Sequence, residues 1–359
     1  MWQLIINEFK KILNKKIVYG ALLFLVFFEL LFFQGWSSSW ERTETAEGEV
    51  LEGTEGVRYM QEEDRKYAGE LTNEKVKEVL FGLPGEPSVR HGGYYQLDIY
   101  DYLERTFRVD KTGNVQNSVE EIFTPEMGTI HLGYNKSFSC TISFLINIML
   151  TLGIIIIIAV APVFSEEYTK RTDALILTSK YGKRKAAGAK IGASFLFAGA
   201  LYVITLLLHV IFFLAAYGTE GWNTSVQIDW IGYFAETPYE MNYAQLTGYA
   251  AILWFAAIFL LTGMTVFLSA VGKTSFISLI LASACFVIPV WVERIIPDWL
   301  DTMMPALQIS LLPVTGLQAI HIGAYQIMPL WIVVAVSAAV TIVFGISAAK
   351  CFDRHQVVS

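Results

Sequence analysis

The chain has 359 residues, 54% of them hydrophobic and only 16% charged, against roughly 25% charged in an ordinary soluble domain. That balance excludes a soluble globular fold, and a net charge of −7 gives no sign of the basic surface that nucleic-acid binding needs. The apolar residues are gathered into six runs, Ile17–Gly35, Ile142–Val163, Ile191–Tyr217, Leu246–Val271, Phe276–Val292 and Ile327–Ala349, each near the ~20 residues that cross a bilayer as a helix.

The N-terminal stretch MWQLIINEFKKILNKK places Trp2, Ile5, Ile6, Phe9, Ile12 and Leu13 at helical spacing and Asn7, Lys10, Lys11, Asn14 and Lys15 on the opposite side. This pattern predicts an interfacial amphipathic helix over residues 1–16, lying along the inner leaflet. The apolar run that follows is too long for a signal-peptide core and lacks a small-residue cleavage site near FFQGWSSSW. It reads as a retained first span over 17–35. Inside it stands one acidic residue, Glu29, which either reaches the outer interface or faces a substrate pathway between subunits.

Residues 36–141 form a large insertion between the first two spans. From Trp36 to Cys140 it holds 20 acidic and 11 basic residues, so it carries −9 while the rest of the chain is slightly basic. Glu41–Gly56 is glutamate-rich and poor in apolar residues, which suggests a flexible lead-in. Further on, LTNEKVKEVLFGL predicts a helix capped at Thr72 with Leu71, Val76, Val79 and Leu80 as its apolar edge, and YYQLDIYDYLERTF predicts a second. At about 100 residues the insertion can bury a small core, one that leans on the membrane part.

After the second span comes SEEYTKRTDALILTSKYGKRKAAGAK, residues 165–190, the largest segment on its side of the membrane. Thr172 can cap a short helix with Asp173 in its first turn, and Gly182 is a natural stop. Leu175, Ile176 and Leu177 offer more apolar surface than so short a segment can cover alone. Either a partner's groove or the inner leaflet would cover it.

Two further patterns are weighed and set aside. VGKTS at Val271–Ser275 has the end of a phosphate-binding loop, but Phe267 stands where the loop needs its first glycine, so a tight turn is expected. Paired carboxylates at Glu62–Asp64 and Glu120–Glu121 fit a solvated face. His91, His131, His209, His321 and His355 lack ligand spacing, and Cys140, Cys285 and Cys351 form no disulfide framework in the insertion. No catalytic residue and no metal site is expected in this chain.

Basic flanks set the orientation. Lys10, Lys11, Lys15 and Lys16 precede the first span, seven Lys and Arg lie between Lys170 and Lys190, Lys273 precedes the fifth span, and Lys350 and Arg354 follow the sixth. The loop from Gly218 to Tyr243 has neither Lys nor Arg but holds Glu220, Asp229, Glu236 and Glu240. Both termini, including the 350–359 tail, are therefore expected in the cytoplasm and the insertion outside. The fold class is an all-α polytopic membrane protein of six transmembrane helices.

These features together resemble the permease subunits of type-2 ATP-binding-cassette exporters: an amphipathic start, a first span, a large outer insertion, a second span ending in FSEE, the TDALILTSKYGKRKAAGAK segment and four more spans. Glu166 and Glu167, the Thr172–Asp173 pair, Leu175 and Leu177, Thr178–Ser179, Gly182–Arg184 and Ala189–Lys190 carry the likeness. Lys180 and Tyr181 stand where the family often has a proline or another small residue. The resemblance implies a plasma-membrane export component, bacterial, that pairs with a second permease copy or a related one. It also implies separate cytoplasmic ATPase subunits holding ATP and Mg. Glu166, Glu167, Thr172, Asp173, Leu175, Ile176, Leu177, Gly182, Arg184 and Lys190 would couple this chain to the ATPase. Residues 294–326, with Pro297, Pro305 and Pro313, would form re-entrant helices closing the outer end. The substrate class would be a peptide, an antibiotic or a lipid-like molecule. The second reading is a membrane-bound sensor or resistance component whose outer domain binds a ligand. An intramembrane enzyme would need more polar groups than Glu29, His209 and scattered Ser and Thr.

Overall fold

Long apolar runs become long helices, and these give the frame. The structure is a computed structural model that describes residues 1–40, 43–45, 48–82, 98–108, 114–170, 182–229, 234–292, 295, 297, 300, 302–322 and 325–354. It opens with α1 (Trp2–Leu13) and α2 (Lys16–Trp40). The helices α7 (Lys136–Val160) and α8 (Pro162–Thr169) follow the insertion, then α9 (Gly182–Tyr217), α10 (Tyr243–Val271), α11 (Ser275–Val292) and, last, α14 (Pro329–Arg354). Pro162 has no N–H to give to the helical ladder, which is why α7 and α8 divide there.

Among the described residues, five helices are long and apolar enough to cross a membrane: Lys136–Thr169, Arg184–Tyr217, Tyr243–Val271, Ser275–Val292 and Pro329–Arg354. The remaining apolar run is helical too, as α2. In the middle sits α10, which packs against α7, α8, α9, α11 and α14 and buries Leu253, Trp254, Ala257, Ile258 and Leu261. Gly263 permits a close approach of α14, since a Cβ there would lie 3.3 Å from the Thr341 carbonyl oxygen.

The insertion starts with a two-stranded pair, β1 (Thr43–Glu44) against β2 (Val50–Leu51), and then α3 (Gly53–Tyr67). A regular helix thus begins inside the stretch expected to be a flexible lead-in. Its Val57 and Met60 supply the reason, because they are buried with the main core rather than with the insertion. Next come β3 (Gly69–Glu70), α4 (Asn73–Phe81), α5 (Asp98–Phe107), α6 (Val119–Ile122) and β4 (His131–Leu132), which pairs with β3. Thr72 caps α4 as its sequence predicts, its Oγ1 accepting from Lys75 N at 3.2 Å. Leu71, Val76, Val79 and Leu80 join Leu103, Phe107, Ile130 and Leu132 in a separate small core.

That core also takes in Ile228, from the loop that joins α9 to α10. Gln61 Nε2 donates to Tyr217 O at 2.9 Å, Tyr102 donates to Gln227 O at 2.6 Å, and Ser225 N donates to His131 O at 3.0 Å. Insertion and loop are one unit at one end of the bundle. The stretch before α14 reaches the same unit, where the Tyr239 hydroxyl donates to Leu317 O. It contains α12 (Pro305–Ile309), α13 (Leu312–Thr315) and the pair β5 (Ile320–Ile322) with β6 (Tyr325–Ile327). Irregular backbone among helices needs internal partners. Here Trp254 Nε1 donates to Ile309 O and Gln308 Nε2 to Ser337 Oγ, both at 2.9 Å.

Candidate functional site

At the opposite end of the bundle α1 lies across α9. Its apolar stripe is the cause: Ile12 is 3% exposed, Phe9 meets Phe197 at 6.4 Å between ring centroids, and Ile5 covers Gly192 so closely that a Cβ there would stand 3.3 Å away. The helix predicted to lie along the leaflet therefore gives part of its apolar face to protein, while Trp2 stays 64% exposed. This docking carries the polar edge of α1 over α8 and the start of α9.

Lys190 is the centre of what results. It is 2% exposed, and its Nζ donates to Glu8 Oε2 at 2.9 Å and to Glu167 Oε1 at 2.8 Å, so one buried ammonium joins α9, α1 and α8. Taking a lysine out of water costs several kcal/mol unless carboxylates face it, and two do. Around this triad Lys11 bonds Glu8 Oε1 at 2.6 Å, Lys15 bonds Glu166 Oε2 at 2.9 Å, and Lys170 bonds Glu166 Oε1 at 2.7 Å. The hydrogen bond to Glu166 and the charge behind it hold the Lys170 ammonium above its ordinary range. Together these side chains line a groove of about 440 Å³.

Of the residues singled out in the sequence, Glu166, Glu167 and Lys190 come together here. Thr172, Asp173, Leu175, Ile176 and Leu177 lie outside the described residues. Gly182 is the first residue of α9. Arg184 comes within 3.7 Å of Asp353 at the end of α14, but with its side chain 90% exposed the pair adds little. Glu29 sits elsewhere: its Oε1 is 2.9 Å from His209 Nδ1 of α9, with side chains 7% and 3% exposed.

Sequence reasoning missed Glu8 as a member of the cluster and His209 as the partner of Glu29. Glu8 stands three residues before Lys11, a spacing that marks a helical pair. Nothing in the sequence ties it to Lys190, however. At the other end of the molecule a second concavity, of about 690 Å³, lies between insertion and loop. On its rim Arg65 Nε donates to Glu220 Oε1 at 2.9 Å, and that bond raises the guanidinium's proton affinity further.

Among the described residues, the α1–α8–α9 junction is built of paired ammonium and carboxylate groups. It is a joint of three helices, bound by charge. A family model described as "ABC-2 family transporter protein" matches residues 2–355. The chain belongs to this family. No curated protein and no solved structure gives a match to it. As an ABC-2 permease it is a membrane transport component, of a family that generally works with ATPase subunits. In this permease the joint flanks residues 171–181 in the sequence, with Glu166, Glu167 and Lys170 before them and Lys190 after.

Proposed function

We propose that this ABC-2 permease is the six-span membrane subunit of a bacterial plasma-membrane exporter, driven by separate cytoplasmic ATPase subunits that hold ATP and Mg. α2 supplies the sixth span, both termini face the cytoplasm, and the acidic insertion stands outside. A second copy of this chain, or a related permease, completes the transport path. The cargo belongs to the peptide, antibiotic or lipid-like classes. The short helices between Arg294 and Gln326 close the outer end, a reading supported by their buried hydrogen bonds to Trp254 and Ser337.

One observation carries the reading. Glu166, Glu167 and Lys170 anchor the chain just before residue 171, and Lys190 anchors it again in α9, nine residues after 181, all within one charged joint. Leu175, Ile176 and Leu177 lie between these anchors in the sequence. A partner gripping them would pull on α1, α8 and α9 together. ATP hydrolysis then reaches the spans as movement, with Thr172 and Asp173 starting the gripped helix.

The reading is tested by purifying the tagged chain from its native membranes in mild detergent. It predicts a co-purifying ATPase subunit, and no ATP hydrolysis by the permease once that subunit is stripped away. Hydrolysis by the stripped chain would contradict it.

A further inference from the structure

Glu29 is the sole acidic residue and His209 the sole histidine of α2, α7, α9, α10 and α11. They meet at 2.9 Å, Glu29 Oε1 to His209 Nδ1, as one hydrogen-bonded pair. Phe144 of α7 lies against the imidazole, ring centroids 5.9 Å apart. The nearest lysines along the two helices, Lys16 and Lys190, are about 20 Å and about 28 Å away. Neither α2 nor α9 carries another charged residue closer to the pair along its axis.

The pair matters because, among the described side chains of α2, packing is confined to one stripe that faces α7. Its packed stripe is narrow, with Val18 and Leu25 buried and Phe28 against Phe144 at 6.1 Å, while Leu23, Phe24 and Phe27 are 70%, 54% and 57% exposed. In lipid such aliphatic and ring contacts have no hydrophobic preference for one register over another, since lipid tails are as apolar as the neighbouring helix. Sliding by one helical turn, about 5.4 Å, would leave the Glu29 carboxyl facing hydrocarbon. The polar bond therefore fixes the register that the apolar stripe leaves loose. At its lower end α2 follows Lys15, which is bound to Glu166.

We propose that the Glu29–His209 pair is an intramembrane latch that makes α2 move as one body with α9 during the transport cycle. It rests on the proposed function. Glu29 and His209 are then positioning residues of the coupling apparatus. Displacement of residues 171–181 enters α9 at its first turn. The latch hands that displacement to α2, which leads directly into the insertion.

The test uses the full-length permease with its co-purified ATPase, in vesicles of native lipid. Four variants are compared: Glu29→Leu, His209→Leu, the two together, and the exchanged pair Glu29→His with His209→Glu. Each single change is expected to lower the melting temperature and cut ATP hydrolysis by the complex about tenfold. The double leucine variant, with no unpaired polar group, should recover the melting temperature but not the hydrolysis rate, and the exchanged pair should recover both. Wild-type hydrolysis in a single or in the double leucine variant would overturn the latch. So would an exchanged pair that melts normally and stays inactive, because the two residues would then act separately, for example on a cargo. If no ATPase co-purifies with the unaltered chain, the functional reading itself fails. The latch is then judged by the melting temperatures alone, and additive single changes would overturn it.

Discussion

Lys190 shows what a single residue decides in this molecule. As a lysine near the start of a membrane helix it could be read as one more positive flank. Instead it is withdrawn from water between Glu8 and Glu167. Removing one partner of a buried pair costs about 3–5 kcal/mol. Because these carboxylates keep 18% and 16% exposure, about 2 kcal/mol is expected for Lys190→Met. A drop in melting temperature in detergent, much larger than for Arg184→Met, checks it. Trp254 is a second such residue, since its indole holds the Ile309 carbonyl inside the bundle. Trp254→Phe keeps most of the packing and strands that carbonyl, so a loss of about 1–2 kcal/mol is expected in the same assay. Thr72 was legible as a cap because capping is local chemistry. Glu8 as a partner of Lys190 and His209 as the partner of Glu29 were not, because they lie 182 and 180 residues away along the chain.

Among the elements, α1 best separates what a pattern reveals from what it leaves open. Its periodicity gives the helix and the apolar stripe, but lipid and an apolar helix surface are alike to that stripe. Only the small residues of α9 decide between them, by letting Ile5 settle on Gly192. Gly192→Leu should therefore lift α1 from α9 without unfolding the spans. A cysteine placed at Phe9, in a version lacking the native cysteines, should then label severalfold faster with a maleimide. Unchanged labelling would mean that α1 is held by its charges alone. The six apolar runs were legible for a different reason, as long hydrophobic segments can satisfy their backbone only as helices. The start of α3 at Gly53 was not, because Val57 and Met60 bury against the bundle rather than within the insertion.

For the whole molecule, the charge asymmetry along the chain supports the proposed orientation, with both termini inside. In a version lacking its three cysteines, single cysteines at the exposed Lys77 and Asn223 should react with an impermeant thiol reagent on intact cells. One at the exposed Lys10 should react only after the cells are opened. The reverse pattern would invert the whole account. Most direct for the central claim, that residues 171–181 are the grip through which a cytoplasmic ATPase works this permease, is replacement of Leu175 and Leu177 together by Asp. Two carboxylates set unpaired into an apolar groove cost several kcal/mol. The account predicts that the altered permease reaches normal abundance in the membrane and loses its co-purifying ATPase, and undiminished co-purification would contradict it.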